Sequence, residues 1–323
     1  MFFRVLCIAV ALFGLGCSGK FTRAPTSISD CPIVGQGEAA LDCPWAGIAR
    51  MMQREPQAAV GILEQEAPAV FAAMRRDAEN QDLLSFWGES LNFDEAARSV
   101  IVGDAVIRGF SELSGVRPPR GENGKTVHAG VEHTYGYLFS TLKTPFGFKR
   151  ARWVEGEMER GFGVSAGTFG PKSQEGTLLS NVTYFFGKIA FRRSSRHEDE
   201  LESRYEGSRE LRTFPFSELK VSRIEETATL EGPRQVTLRT DLVEFLREGA
   251  GKRLLLVYSV EDSARPGPRL ITGFPVDFAF AQKLLAGNGG TVAPWPVTPR
   301  YNAYVEGLSG LPRPRMGTRK VLK

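Results

Sequence analysis

Histidine is scarce in this chain of 323 residues: there are three, His128, His133 and His197. A multi-histidine metal site is therefore demanding to assemble, and few side chains remain to act as general bases near neutral pH. Cysteine is scarce too. Cys7, Cys17, Cys31 and Cys43 show no CxxC spacing, which argues against thiolate metal clusters and redox dithiols. A formal net charge of +4 is too small an excess for the concentrated basic face that nucleic acid requires. Beyond residue 17 no apolar run approaches the roughly 20 residues that span a bilayer. The strand-helix-strand rhythm of a parallel sheet is also missing. What is present is an ordinary globular composition, 42% hydrophobic and 24% charged, on a chain long enough for one large domain or two smaller ones.

The first residues read as an address. Arg4 supplies a positive charge, residues 5–15 an apolar core too short to cross a membrane, and Gly16 places a small residue before Cys17. This layout resembles a bacterial lipoprotein signal, with Gly14 where such signals usually carry leucine; an ordinary secretory signal and a buried N-terminal helix are the other readings. The resemblance implies that residues 1–16 are removed, that Cys17 becomes a lipidated first residue, and that the membrane is a partner through that lipid. Ser18 after the cysteine implies the outer membrane, with the protein facing the periplasm or exposed at the outer surface. Residues 17–30 then form a polar tether able to reach about 45 Å when fully stretched. With Cys7 gone and Cys17 carrying lipid, Cys31 and Cys43 are left as a pair in an oxidising compartment, where a disulfide is expected. Each lies in an Asp-Cys-Pro triplet, and chain-entropy arithmetic assigns such a short loop roughly 3 kcal/mol.

The expected architecture is α+β: a disulfide-stapled helical region over residues 31–115, then a mainly antiparallel sheet, sandwich or incomplete barrel over residues 126–305, and a basic tail, 306–323, that frays. Pro56 and Pro68 suit the first turns of helices. Asn92 reads as the cap of a helix whose apolar stripe runs through Phe93, Val100, Ile107, Phe110 and Leu113. Residues 116–125, rich in proline and glycine, mark a boundary. After it the apolar positions alternate from Ala129 to Phe139, predicting a strand, with further strands over 146–155, 182–191, 219–230, 235–238, 254–260, 270–274 and 301–305. Residues 277–286 read as a short helix. The mixed-charge run 192–212 reads as a mobile loop or exposed helix.

His128, Glu132 and His133 form the one tight group with metal or acid-base potential, and His128 and Glu132 are its candidate ligands. On a strand His128 and Glu132 share a face but stand about 13 Å apart, and the spacing departs from HExxH and HxxEH. His133 then points the other way, among aromatics. Gly163-Val-Ser-Ala-Gly167 matches the GxSxG of a nucleophile elbow without the strand and helix that give it meaning, so a glycine-rich loop is the simpler reading. Gly287-Asn-Gly-Gly290 reads as a turn, and Asn181-Val-Thr183 is a glycosylation sequon of little weight in a bacterial exported chain. The aromatic residues around Tyr135, Trp153 and Phe185 fit a β core or the lining of a pocket for an apolar or glycan ligand. No catalytic residue and no cofactor is assigned. The favoured reading is an exported, membrane-anchored protein that binds or scaffolds, the partner being a protein, glycan or apolar ligand; the alternative is an envelope hydrolase, metal-assisted through His128 and Glu132.

Overall fold

The computed structural model describes residues 44–94, 97–114, 126–144, 147–153, 157–170, 175–192, 194–229, 233–247, 251–286 and 316–322. Cys17, Cys31, Cys43, the tether, the 116–125 boundary, the 287–290 turn and the 301–305 strand lie outside the described residues.

Among the described residues four helices come first: α1 (Pro44–Arg54), α2 (Ala59–Glu66), α3 (Pro68–Glu79) and α4 (Gln81–Ser85). Pro56 opens a 3-10 turn leading into α2, and Pro68 occupies the first turn of α3, where its missing N–H costs nothing. Strand β1 (Ser90–Leu91) follows, then α5 (Asp104–Ser114), then β2 (Val127–His128), which pairs antiparallel with β1. The helix expected directly after Asn92 starts only at Asp104. Asn92 is no cap; its buried amide donates to the Val102 carbonyl at 2.6 Å and accepts the Val102 N–H at 3.0 Å, pinning a loop. The later stripe positions, Ile107 and Phe110, do face the core.

The period-two segment is not a strand. Helix α6 (Gly130–Thr134) runs into a 3-10 turn, Gly136–Phe139, and every residue from 130 to 140 is buried. With no solvent-facing side, polar and apolar positions there carry no record of helical period, so the alternation was accidental. After the small hairpin β3 (Lys143–Thr144) and β4 (Gly147–Phe148), helix α7 (Glu157–Phe162) stands beyond the strand expected at 146–155. The expected strand 182–191 falls in α8 (Leu178–Ala190), buried along its whole length except at Lys188. The mixed-charge run forms α9 (Ser195–Arg204) and α10 (Arg209–Thr213). Lys188 reaches Glu198 and Glu202 of α9.

The β-rich part therefore begins near residue 221, not residue 126. Strands β5 (Val221–Thr229), β6 (Gln235–Arg247), β7 (Gly251–Asp262) and β8 (Arg265–Val276) are joined as successive antiparallel hairpins. Asp277 then caps α11 (Phe278–Leu285) by accepting the Phe280 N–H at 2.6 Å. A fifth strand, β9 (Met316–Leu322), pairs antiparallel with β5, so this stretch of the basic tail is ordered in the sheet where fraying was expected. The order is β8-β7-β6-β5-β9, an open sheet, and the class is α+β with helices preceding an antiparallel sheet. One sheet face, carrying Val243, Leu255, Val257 and Leu270, joins a core that extends back to Trp45 in α1. The opposite face, with Leu238, Leu256 and Tyr258, packs with Ala281 of α11.

Helix α8 is the axis of this core, and both of its ends are satisfied by charge. At its start Thr177 accepts the Ser180 N–H while Ser180 Oγ accepts the Thr177 N–H, a reciprocal cap. Buried Asp77 of α3 accepts from Thr177 Oγ1 and from Tyr135 Oη, both at 2.6 Å, and from the Leu179 N–H. At the other end Arg223 of β5 donates to the Ala190 carbonyl at 2.7 Å and forks onto Asp241 of β6 at 2.7 and 3.0 Å. A carboxylate at the positive end and a guanidinium at the negative end both complement the helix dipole.

The fit between α8 and the sheet is tight. A Cβ placed on Gly273 would lie 2.3 Å from the ring of buried Phe186, whereas one placed on Gly61 of α2 meets nothing within 4 Å. Gly273→Ala is expected to cost about 1–3 kcal/mol by overpacking. Gly61→Ala should stabilise by up to about 1 kcal/mol through helix propensity. Urea unfolding of the two variants reads the opposite signs directly.

Candidate functional site

Local backbone geometry decides where the sequence-predicted residues point. Ala129 is extended and Gly130 takes φ +44°, a turn into α6 that a side chain would strain; a Cβ there would also meet Leu84 at 2.9 Å. The consequence is that His128 stays on β2 while Glu132 and His133 sit on a helix. His128 lies opposite Ser90 in the β1–β2 register, and Ser90 Oγ is 3.0 Å from His128 Nε2 and 3.4 Å from His133 Nδ1. The two imidazoles are packed ring against ring, with centroids 4.7 Å apart. Around them stand Trp87, Tyr137 and Trp153, whose centroids lie 5.4, 4.7 and 5.7 Å from the His133 ring.

The expected pair is not a pair. Glu132 turns to α5, where Ser111 Oγ and Ser114 Oγ donate to its Oε1 at 3.1 and 3.3 Å, and burial raises its pKa. His128 has Ser90 and His133 for neighbours instead, so carboxylate and imidazole do not converge on one point. Among the described residues no three His, Cys, Asp or Glu side chains are placed to share a metal ion.

Electrostatics hold the histidines neutral. Burial, reinforced by the charge of Lys149, pushes His128 down to about 3. His133 is pushed well below its ordinary value by burial, by His128 and by the cations Arg152 and Lys149. Lys149 is itself brought down to about 7 by burial and by Arg152, against the pull of Asp94 at 3.0 Å. Burial alone would raise Asp94, but Lys149 holds it below the usual carboxylate range. Tyr137, beside His133, is pushed up to about 12 by burial.

In a neutral imidazole one nitrogen donates and the other accepts. If His128 Nε2–H donates to Ser90 Oγ and the hydroxyl passes its proton toward His133 Nδ1, then His128 Nδ1 is left an acceptor and His133 Nε2 a donor; the reverse orientation swaps the two. Neither outer nitrogen has a hydrogen-bond partner among the described residues. The arrangement is thus a His-Ser-His relay enclosed by aromatic rings. Imidazoles held this far from protonation are poor bases near neutral pH.

The other sequence candidates resolve as scaffold. Residues 163–167 follow helix α7, not a strand, and Ser165 donates both its N–H and its Oγ to Glu210, at 2.8 and 3.2 Å. Gly167 and Phe169 donate their N–H groups to buried Glu159, at 3.0 and 2.8 Å, so two glutamates organise this loop. Asn181 is fully buried, and its amide donates to the Thr168 carbonyl while Tyr205 Oη donates to its Oδ1. A glycan cannot reach it in the folded chain. The aromatics around Tyr135, Trp153 and Phe185 form a core, but a helical one.

Sequence reasoning missed Ser90, Asp94, Lys149, Arg152 and Asp77. The available signal was Lys149-Arg-Ala-Arg-Trp153, three cations close to aromatic residues in a run taken for a strand. No protein family matches this sequence, and neither a curated protein nor a solved structure matches it.

Proposed function

We propose that this protein is a membrane-anchored lipoprotein of the cell envelope with a non-catalytic binding or scaffolding role. In this reading the lipid on Cys17 holds it at the membrane, the 17–30 tether supplies reach, and the folded part presents the surface met by a protein, glycan or apolar ligand. Among the described residues no helix is long and apolar enough to cross a membrane, and the reading gives attachment to the lipid.

The observation that carries the non-catalytic part is the divergence of His128 and Glu132. A hydrolase built on them needs both groups within hydrogen-bond reach of one reacting centre. Glu132 is occupied by two serines of α5, and His128 is enclosed with His133 at 2% exposure.

Two measurements test the proposal. Cys17→Ser should abolish incorporation of a fatty-acid label and move the protein from the membrane to the soluble fraction; unchanged labelling overturns the anchor. Glu132→Gln and His128→Asn should each keep the biological role in a complementation assay for as long as the variant remains folded. A Glu132→Gln protein with a wild-type melting curve and no function would overturn the non-catalytic role.

A further inference from the structure

The seam between the helices and the sheet passes through the histidine pair. Gly88 N–H donates to the Leu270 carbonyl and Leu270 N–H to the Phe86 carbonyl, both at 2.7 Å, which ties the segment before β1 to the edge of β8. Arg152 donates to the Gly273 carbonyl of β8 at 3.2 Å, and Trp87 Nε1 donates to Thr183 Oγ1 of α8 at 2.8 Å. The ring of Trp87, the residue between those two backbone ties, lies against His133. The imidazoles are thus joined to the β8 contacts through one packed residue.

We propose that the His128–Ser90–His133 relay is an acid-sensitive latch that holds the segment around β1 and β2 to the β8 edge and releases it when an imidazole is protonated. The groups facing the pair are Ser90 from β1, Trp87 before it, Tyr137 from the turn after α6, and Lys149, Arg152 and Trp153 from the segment after β4. Lys149 and Arg152 are cations, and the carboxylate of Asp94 is taken by Lys149. Glu132 faces α5. A proton on either ring thus adds a positive charge beside two others, inside an aromatic enclosure that offers it no carboxylate among the described residues. The relay also loses its pattern, because a doubly protonated imidazole has no acceptor for the serine proton. The least costly relief is to let water into the seam, a local opening below the free energy of global unfolding.

Hydrogen exchange of the full chain at pH 7.5 and pH 5.5, corrected for intrinsic exchange rates, tests the latch. Peptides covering 86–92, 126–139 and 268–274 should lose protection at least tenfold at pH 5.5, while those from the β5–β6 pair keep theirs. His133→Gln leaves His128 as the one titrating ring of the pair and should lose markedly less seam protection at pH 5.5 than the parent. His128→Gln, which leaves His133 as the one titrating ring of the pair, should cut the loss in the same way and serves if the His133 variant fails to fold. Equal loss across seam and sheet, unchanged seam protection of the parent at pH 5.5, or a loss in both single-histidine variants as large as the parent's would overturn the proposal.

Discussion

Arg223→Ala should lower the unfolding free energy by about 3–5 kcal/mol, a large share of the stability of a typical domain. The guanidinium is buried, forks onto Asp241, and donates to the last carbonyls of α8, so its removal leaves a carboxylate fully inside the core and a helix end with an unsatisfied acceptor. Burial already pushes Asp241 up against the pull of Arg223, with Arg239 and Arg192 adding weaker attraction. The double variant Arg223→Met, Asp241→Leu tests the cause. Replacing both partners by apolar side chains of similar volume removes the uncompensated charge, and the loss should shrink to about 1–2 kcal/mol, since buried ion pairs often roughly offset their own desolvation. Urea unfolding of both variants decides. A loss under about 1 kcal/mol in Arg223→Ala would mean that the α8 terminus is satisfied in another way.

The second large effect is a pH dependence that Asp77→Asn should remove. Burial raises Asp77 from 3.8 to about 6, even with donors from Thr177, Tyr135 and the Leu179 N–H opposing the shift. Between those two values the folded carboxyl keeps a proton that the unfolded chain has released. Its contribution to stability is therefore fully present below about pH 4 and lost as the pH rises through 6, amounting to about 3 kcal/mol by pH 7. The difference in unfolding free energy between Asp77→Asn and the parent should grow by about 2–3 kcal/mol from pH 4 to pH 7, in favour of the variant. Asp77→Ala loses the hydrogen bonds as well and should be destabilised at every pH by about 1–3 kcal/mol relative to Asp77→Asn. The histidine pair works in the opposite sense: depressed in the folded state, it supports folding above pH 6.5 and withdraws that support as the pH falls. Parallel denaturation series for Asp77→Asn and His133→Gln separate the two slopes. Parallel curves for Asp77→Asn and parent would show that this carboxyl titrates normally in the fold.

Elements with two distinct faces were legible from the sequence. Strands β5, β7 and β8, helix α11 and the Pro68 start of α3 stand at or close to their expected positions, β6 runs on to Arg247 from the expected 235–238, and Ile107 and Phe110 of the expected stripe face inward, because each element faces something different on its two sides or carries its own start signal. Residues 129–139 and 182–191 were misread for the reverse reason. They are enclosed on every side, and a run such as Val182-Thr-Tyr-Phe-Phe186 suits a buried helix or a buried strand equally well. At the candidate site the sequence supplied the nearness of His128 and His133 but assigned the wrong companion, since strand geometry pairs residue 128 with 132 and sends 133 away. A single positive φ at Gly130 reverses that assignment.

The chain by itself determined the α+β class, the hairpin series at its C-terminal half and the scarcity of histidine and cysteine that limits its chemistry, because these follow from composition and local period. Only the tertiary structure decided that α8 lies at the centre, that Asp77 and Arg223 meet its two ends, that β9 completes the sheet beside β5, and that Ser90 bridges two histidines 38 and 43 residues away. Those relations join residues far apart in sequence. Nothing in the local pattern of either partner encodes the other; each exists because burial leaves a charged or polar group with one place to find its complement.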